Sequence, residues 1–412
     1  MGDEMMKTMK KVFMGAAALM MAVSMAGCGN SGSGNGSATT PDAEGSTGSE
    51  AAGAVKIGLH YELTGEVADY GKAELNGSLL AIKQANAVAG SEKYGYVKYD
   101  NKSDPTEAVT LAAQLASDGV AGVVGPATSG RSAATYQILN DAKIPVLSPS
   151  ATQNNVTLTD PDKIDSAPYD YVYRVCFEDS YQGAAMAQYA YDTLGKTKAV
   201  IYGDSTTDYA KGLSEAFEKQ FTKLGGTIVA KENYVSKDTD FSSVLTKIKG
   251  LDFDVLYIPG YYNEAGLIIK QARDMGIDQA VVGSDGFDSV TLVELGGAEN
   301  LNDVYFTTAY TTVGASAQLQ AFIDAYKAEY NEEPNMFAAL AYDATNVLIQ
   351  AIEEAGSSEG AAVQAALAKI SFNGVTGSFT FDATHTPIKP VLVVNLVDGV
   401  QTDAVAVTPK LD

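Results

Sequence analysis

Two short turns rich in small hydroxyl residues have the composition of an anion-binding site. The first, Thr128-Ser129-Gly130, follows a predicted strand at 120–124, and the second, at 148–152, follows a predicted strand at 144–147. A turn that opens a helix presents free backbone N–H groups and the positive end of the helix dipole. Because neither turn contains a basic side chain, the pattern favours a carboxylate bound by amides and hydroxyls.

A single turn of this kind has an ordinary alternative interpretation, since serine and threonine commonly cap helices without binding anything. Two such turns on neighbouring strand ends favour the binding site. The helix after the first turn is predicted to pack through Ala134, Ile138 and Ala142, which recur every four residues.

Further polar and aromatic residues follow other predicted strands or the loops after them. Asp285 follows a strand at 280–283, where it is either a turn residue or the negative charge that a buried cation requires. Tyr70, Tyr209 and Tyr261 lie in or after loops of the same type. Each is either a half-buried aromatic residue or part of a pocket wall.

The elements that position these residues alternate between strand and helix in two series. The first series has predicted strands at 55–59, 96–99, 120–124 and 144–147, and the second at 198–202, 227–234, 255–258 and 280–283. A polar stretch at 153–170 separates them. This alternation predicts an α/β protein with parallel sheets in two lobes, whose ligand lies between the carboxyl ends of the strands.

The remaining segments are predicted as elements without a lobe assignment. They are a strand at 304–308, helices at 319–330, 338–355 and 360–369, and strands at 378–381 and 391–396. Asp104-Pro105-Thr106-Glu107 is a typical helix start, with a capping aspartate and proline at the first helical position.

Composition excludes several classes of function. The formal charge of −23 argues against nucleic acid as a partner. His60 and His385 are the only histidines, so neither a histidine-based triad nor a zinc cluster is expected, and Cys176 is predicted to be a buried thiol. No nucleotide-binding or hydrolase motif occurs in the sequence. We expect no cofactor, no metal and no enzyme activity, although an acid pair acting without histidine stays open.

The amino-terminal segment is predicted to direct export. Residues 1–27 combine Lys7, Lys10 and Lys11 with an apolar run at 12–26 that is too short to span a membrane. The ending at 24–28 resembles a bacterial lipoprotein signal, in which Cys28 becomes the lipidated first residue. Residues 28–53 are predicted to be a flexible glycine- and serine-rich tether.

Several motifs in order resemble one family. They are YDNKSDPTEAV, TSG, SPSAT, PGYYNEAG and VGSDG, and together with their spacing they resemble the leucine/isoleucine/valine-binding proteins, extracytoplasmic receptors of ABC amino-acid importers. The resemblance covers about residues 54–408. It implies a type I periplasmic-binding-protein fold of two Rossmann-like lobes joined by a three-strand hinge. Lobe one would hold 54–177 and 309–388, and lobe two 178–308 and 389–412.

The resemblance also implies roles for particular residues. The carboxylate of the ligand would lie at Ser129 and the turn formed by Ser150, Ala151 and Thr152. Its ammonium would meet the Ser150 carbonyl oxygen, the Thr152 hydroxyl and the Asp285 carboxylate. The side chains of Tyr70, Tyr209 and Tyr261 would wall the pocket.

The function implied by the resemblance is capture of an amino acid, branched-chain aliphatic, and delivery to an ABC permease. We expect a monomer, lipid-anchored to the outer face of the bacterial cell membrane. Two alternatives stay open. One is the same fold with a short amide, urea or an aromatic acid as ligand, and the other is a sensory ligand-binding subunit.

Overall fold

Two large sheets, each with helices packed on it, make up the part of the chain that the structure describes. The structure is a computed structural model that describes residues 46–48, 53–163 and 165–411. The predicted signal peptide, Cys28 and most of the predicted tether therefore lie outside the described residues. Both sheets belong to one compact unit.

The strands follow the predicted alternation closely. In chain order they are β1 (Ser46–Gly48), β2 (Val55–Tyr61), β3 (Tyr94–Asp100), β4 (Gly122–Val124), β5 (Val146–Ser148), β6 (Val172–Arg174), β7 (Lys198–Asp204), β8 (Thr227–Tyr234), β9 (Val255–Ile258), β10 (Ala280–Gly283), β11 (Val304–Thr308), β12 (Phe372–Gly374), β13 (Gly377–Phe379), β14 (Val391–Val397) and β15 (Val400–Val407). Strands β8, β9, β10 and β11 have the predicted bounds.

Eleven α-helices lie between these strands in the described part of the chain. They are α1 (Ala68–Ala89), α2 (Pro105–Ser117), α3 (Ser129–Asp141), α4 (Asp179–Gln188), α5 (Asp208–Lys223), α6 (Ser242–Lys249), α7 (Tyr262–Asp274), α8 (Val290–Gly296), α9 (Ala317–Tyr330), α10 (Met336–Ala355) and α11 (Gly360–Leu367). As predicted, Asp104 caps α2, because its carboxylate accepts from the amides of Thr106 and Glu107.

The six-stranded first sheet has the order β1-β3-β2-β4-β5-β6. Strands β2 to β6 pair in parallel, and β1 pairs antiparallel with β3. Strand β1 lies in the stretch predicted as a flexible tether, so that prediction was wrong for Ser46–Gly48. The strand has no apolar pattern that could have revealed it, because pairing at a sheet edge uses backbone groups and requires no apolar side chain. Since parallel strands end at one edge, the turns after β2, β4 and β5 come together.

The seven-stranded second sheet has the order β15-β14-β11-β10-β9-β7-β8. Strands β7 to β11 are parallel, whereas β14 and β15 are antiparallel additions. The chain therefore crosses between the two sheets after β6, after β11 and before β14. We call the first sheet with α1–α3 and α9–α11 the first half, and the second sheet with α4–α8 the second half.

Helices α1 and α10 pack closely against each other in the first half. The contact requires glycine at Gly77, because a Cβ there would lie 2.1 Å from the carbonyl oxygen of Ala338. This packing places the first turn of α10, beginning at Met336, beside the start of α1.

One helix face was predicted incorrectly. In α3 the buried side chains are Ser132, Thr135, Tyr136 and Leu139, together with Ser129, whereas Ala134 and Ile138 are half-buried and Ala142 is exposed. Small hydroxyl residues face inward here because they bond to backbone, as the Ser132 hydroxyl does to the Pro126 carbonyl oxygen at 3.0 Å. Helix α4 and strand β15 were not predicted.

The predicted buried thiol is confirmed. Cys176 is 1% exposed, and burial raises the pKa of its thiol to about 12. It lies at the first crossing between the halves, just beyond the end of β6.

Candidate functional site

The turns after β4 and β5 supply the first-half side of the site. Residues 127–129 follow β4 and residues 150–152 follow β5, at the shared carboxyl edge of the first sheet. The turns bond to each other, since the Ser150 hydroxyl donates to the Ala127 carbonyl oxygen at 2.8 Å. The two hydroxyl-rich turns therefore form one surface, as the sequence predicted.

The second half faces this surface with the ends of β9 and β10 and the start of α5. Tyr261 follows β9, Asp285 follows β10, and Tyr209 is the second residue of α5. All three are buried. Tyr70, from the first turn of α1, reaches across and donates to the Gly286 carbonyl oxygen at 2.6 Å.

A small cavity lies between these two surfaces. Its lining residues are Tyr70, Ala127, Thr128, Ser129, Ser150, Thr152, Tyr209, Tyr261, Asp285, Gly286 and Phe337. The structure thus brings together seven of the eight residues predicted for the site. Ala151 is buried but does not line the cavity, and its amide donates to the Ser148 hydroxyl at 3.0 Å.

The cavity has an aromatic wall made from both halves. Tyr70 stacks on Phe337 with ring centroids 4.1 Å apart, and Tyr209 stacks on Tyr261 at 5.2 Å. Tyr70 and Tyr261 meet edge to face at 5.8 Å. Phe337 was missed because it comes from the first turn of α10, where the sequence carries no turn or strand-end signal.

One end of the cavity has the properties of an anion site. The Ser129 hydroxyl accepts from the Gln153 amide at 3.1 Å, so its own proton is available to a ligand. The amides in the first turn of α3 have no acceptor within the helix. Arg131 does not line the cavity and donates to the Ser103 carbonyl oxygen, so amides and hydroxyls dominate this end.

The other end contains a buried acid. The Asp285 Oδ1 accepts from the Tyr209 hydroxyl at 2.5 Å and from the Gln182 side-chain amide at 3.1 Å. Burial raises the pKa of Asp285 to about 6, while the bonds from Tyr209 and Gln182 act in the opposite direction. A cation in the cavity would offset the cost of ionising this carboxyl.

A second buried acid adjoins the first and was missed by the sequence analysis. Asp179, the first residue of α4, is fully buried, and its Oδ2 has no hydrogen-bond partner in the described structure. Burial and then the charge of Asp285 raise its pKa well above the usual value. The Asp179 amide donates to the Thr152 carbonyl oxygen at 2.8 Å. In sequence, an aspartate at a helix start indicates only a favourable dipole interaction.

The turn at 150–152 is held by buried partners. The Ser150 hydroxyl also bonds to the Glu74 carboxyl at 2.5 Å, and burial raises the pKa of Glu74 well above the usual range. The buried guanidinium of Arg174 donates to the Ala151 and Gln153 carbonyl oxygens at 3.3 and 2.8 Å. These contacts leave little freedom to the groups that face the cavity.

The described residues contain neither a candidate metal site nor a membrane-spanning helix. Within residues 46–48, 53–163 and 165–411, no group of three or more histidine, cysteine, aspartate or glutamate side chains could hold a metal ion. In the same part of the chain, no helix combines the length and hydropathy needed to cross a membrane.

Known proteins resemble the chain in both sequence and structure. A family model described as a periplasmic binding protein matches residues 54–401. The leucine-, isoleucine-, valine-, threonine- and alanine-binding protein of Pseudomonas aeruginosa is 29% identical over 338 residues, covering 81% of this chain and 87% of that protein.

Two crystal structures are similar over nearly the whole described chain. The branched-chain amino acid transporter substrate-binding protein LivJ from Streptococcus pneumoniae, in complex with isoleucine, is 41% identical with a TM-score of 0.81, covering 86% of this chain and all (100%) of that one. The leucine-binding protein LivK from Thermotoga maritima is 34% identical with a TM-score of 0.79, covering 86% and 99%.

These similarities confirm the resemblance that the turn motifs indicated and the type I periplasmic-binding-protein fold that it implied. The family match covers every residue that lines the cavity and all the strands except β1 and most of β15. The chain therefore belongs to the periplasmic binding protein family, whose members are receptors for a bound substrate.

Proposed function

We propose that this chain is an extracytoplasmic receptor that captures a branched-chain amino acid between its two halves and delivers it to an ABC permease. The observation that carries the proposal is the pairing, in one small cavity, of an anion site with a buried acid. A zwitterion needs both within a few ångströms. The branched-chain ligands of the related proteins support the same class of cargo.

The carboxylate of the amino acid would occupy the end formed by Ser129 and the turn at 150–152. The Ser129 hydroxyl would donate to it, and the free amides of α3 would add the favourable field of the helix start. No fixed positive charge is required, because hydrogen bonds to an ionised group are stronger than those between neutral groups.

The ammonium would lie at the other end, against Asp285. The Ser150 carbonyl oxygen and the Thr152 hydroxyl would complete its partners, and Asp179 lies behind Thr152. Burying an ammonium is costly unless a carboxylate lies beside it. A ligand without an amine would leave Asp285 buried without a counter-charge.

The aliphatic side chain would contact the aromatic wall of Tyr70, Tyr209, Tyr261 and Phe337. Ligand pockets are lined mainly by apolar and aromatic side chains with a few polar groups that fix orientation, and the lining of this cavity has that composition. The aromatic wall therefore favours a small, partly apolar ligand.

Capture would proceed by closure of two lobes, 54–177 with 309–388 and 178–308 with 389–412, about the three chain crossings. Bonds between the halves support this proposal. Besides the bond from Tyr70, the Tyr262 hydroxyl and the Asn263 side-chain amide donate to the Glu66 carbonyl oxygen at 3.1 and 2.7 Å. A ligand that contacts both halves binds the closed form preferentially and so shifts the population toward it.

Delivery would require a tether to the cell surface. We propose cleavage after residue 27, lipidation of Cys28, and a tether within 28–53, before β1 joins the first sheet at Ser46–Gly48, that holds a monomeric receptor at the outer face of the membrane. Cys28→Ser in the full-length chain should move the protein from the membrane fraction to the medium or the soluble fraction. A variant that stays wholly with membranes would contradict the anchor.

The test of the ligand is calorimetric titration of the chain after unfolding and refolding, which removes bound cargo. We expect saturable binding of leucine, isoleucine or valine, and no binding of urea or benzoate. If only benzoate or an amide gave a saturable heat of binding, that class of ligand would replace the proposed cargo. If none of these compounds bound, the proposal would be contradicted.

A further inference from the structure

A buried glutamate lies behind the anion end of the cavity without lining it. Glu62, the first residue after β2, is 0% exposed. Its Oε2 accepts from the Ala127 amide at 3.1 Å, and its Oε1 accepts from the Thr128 amide at 3.1 Å and the Thr128 hydroxyl at 2.6 Å. No lysine or arginine pairs with it in the described structure.

The three bonds all go to the two residues immediately before α3. Thr128 is the residue at the cap position of the helix, but its side chain makes no cap bond, because its hydroxyl donates to Glu62. The carboxylate therefore takes amides at a helix start, where an anion is most favourable. The next residue in the chain is Ser129, whose hydroxyl faces the cavity.

The carbonyl groups of the same turn are fixed from the other side. The Pro126 carbonyl oxygen accepts from the hydroxyls of Ser132 and Ser148 at 3.0 and 2.9 Å. Glu62 accepts from the amides of Ala127 and Thr128, and two serines donate to the Pro126 carbonyl oxygen. Both backbone donors and a backbone acceptor before α3 are therefore hydrogen-bonded to buried side chains. A loop fixed in this way loses little conformational freedom when a ligand binds.

We propose that Glu62 is a positioning residue of the ligand site. Its carboxylate accepts hydrogen bonds from the two amides before α3 and so fixes the turn that presents Ser129. The fixed turn then binds one ligand carboxylate at Ser129. This inference rests on the proposed function in one respect, namely that the cavity binds a carboxylate at Ser129. The role of Glu62 on the two amides stands apart from the identity of the cargo.

An ionised side chain suits this position better than its amide. A glutamine could accept from one of the two backbone amides, but its own N–H group would then face the other. An unpaired buried donor is costly. The carboxylate accepts from both, and its charge lies in the field of the α3 dipole, which offsets part of the desolvation cost.

The test uses Glu62→Ala and Glu62→Gln in the full chain, with Glu333→Gln as the matched control, since Glu333 is an exposed residue that pairs with Lys327. Isoleucine affinity is measured by calorimetry at a temperature where circular dichroism shows each variant to be folded. We expect both Glu62 variants to bind at least about tenfold more weakly, or about 1.4 kcal/mol, and the control to bind within about twofold of the wild type.

Formate separates positioning from general damage. Sodium formate can place a carboxylate on the vacated amides of Glu62→Ala, so it should restore isoleucine affinity, whereas sodium chloride at the same concentration should not. A Glu62→Gln variant that binds like the wild type, or a weakened Glu62→Ala variant that formate does not rescue, would overturn the proposal.

A second measurement does not depend on the cargo. Formate should raise the thermal midpoint of ligand-free Glu62→Ala relative to chloride by more than it raises that of the wild type, because only the variant has vacated amides for it to bind and a ligand of the folded state stabilises it. A wild type that binds no amino acid would end the proposed function. A formate effect no larger in the variant than in the wild type would end the role assigned to Glu62.

Discussion

The hydroxyl of Tyr70 donates a hydrogen bond of 2.6 Å to the carbonyl oxygen of Gly286. Both residues line the cavity, so this bond joins the two halves at the cavity wall. Gly286 adjoins Asp285 in the chain. A side chain at Gly286 would not fit, because a Cβ there would lie 2.5 Å from the Gly260 carbonyl oxygen and 3.0 Å from the Tyr209 hydroxyl. One turn therefore presents the buried acid and receives the bond from the opposite half.

Tyr70→Phe removes this bond while it retains the ring that stacks on Phe337. Because the bond joins the two halves, its loss should weaken the closed form, and we expect isoleucine to bind about 2- to 10-fold more weakly, as for one hydrogen bond of about 0.5–1.5 kcal/mol. Calorimetry measures the change. Tyr99→Phe is the control, since its hydroxyl bonds to Asp118 within the first half. Equal affinities for the two variants would contradict a role in closure.

Asp285→Asn keeps the shape of the side chain and removes its charge. We expect isoleucine affinity to fall by about 10- to 100-fold, which corresponds to a charged hydrogen bond of about 1.5–3 kcal/mol. Asp324→Asn, which changes one exposed carboxylate on α9 that accepts from Gln320, should leave affinity unchanged. An Asp285→Asn variant with the affinity of the wild type would exclude this carboxylate as the partner of the ammonium.

The pH dependence of binding follows from the same group. Burial raises the pKa of Asp285 to about 6 in the ligand-free protein, so below that pH a proton occupies the carboxyl that the ammonium needs. We expect isoleucine to bind about tenfold more weakly at pH 5 than at pH 7. Titrations across this range test the expectation, and Asp285→Asn should show a much flatter profile.

The stability of the ligand-free protein should change in the opposite sense. A carboxyl with a raised folded pKa stabilises the fold most below its unfolded pKa, and this contribution is lost as pH rises through the folded pKa, here from about 3.8 to about 6. Asp285→Asn should therefore unfold on the order of 2–4 °C above the wild type at pH 7.5, and the difference should vanish near pH 4. Calorimetric scans that show a constant difference would refute this origin.

A second contact between the halves should govern ligand release. The Asp69 carboxylate, in the first turn of α1, accepts from the hydroxyls of Ser289 at 2.7 Å and Thr291 at 2.5 Å. Thr291→Val removes one donor with little change in shape, and we expect isoleucine to dissociate about 2- to 10-fold faster with nearly the same association rate.

Stopped-flow kinetics measures both rates for Thr291→Val. The control is Thr110→Val, whose hydroxyl bonds to the Thr106 carbonyl oxygen within α2. A variant slowed in association instead, with unchanged dissociation, would show that the contact forms before the ligand is enclosed.

Much of this protein could be predicted from local patterns. Strands β9 to β11 have the predicted bounds because largely apolar runs between turn residues specify buried strands. Strand β8 also has the predicted bounds, although it lies at the sheet edge and its side chains are mostly exposed or half-buried. The grouping of Ser129 with Ser150 could also be predicted, because parallel strands of one sheet end at a common edge. Asp285 follows a strand of the other sheet, so its place opposite the two serines was implied only by the two-lobe resemblance.

The remaining parts of the site depend on contacts between residues far apart in the chain. Phe337 reaches the cavity because α10 packs on α1. Asp179 lies behind the cavity because α4 begins beside Thr152, and neither position has a local signal. The predicted buried face of α3 was wrong for a related reason, since Ser132 and Thr135 face inward to bond with the backbone, whereas Ala134 and Ile138 are only half-buried.

The sequence by itself determined the α/β architecture, the order of its elements and the strand ends at which a ligand would bind, because hydrophobic period and turn composition act over a few residues. Only the tertiary structure decided that β14 and β15 pair antiparallel at the edge of the second sheet, that Glu62 accepts from the amides before α3, and that Phe337 joins the three tyrosines in the cavity wall. Those features depend on side chains separated by tens to hundreds of residues, whose meeting is set by packing.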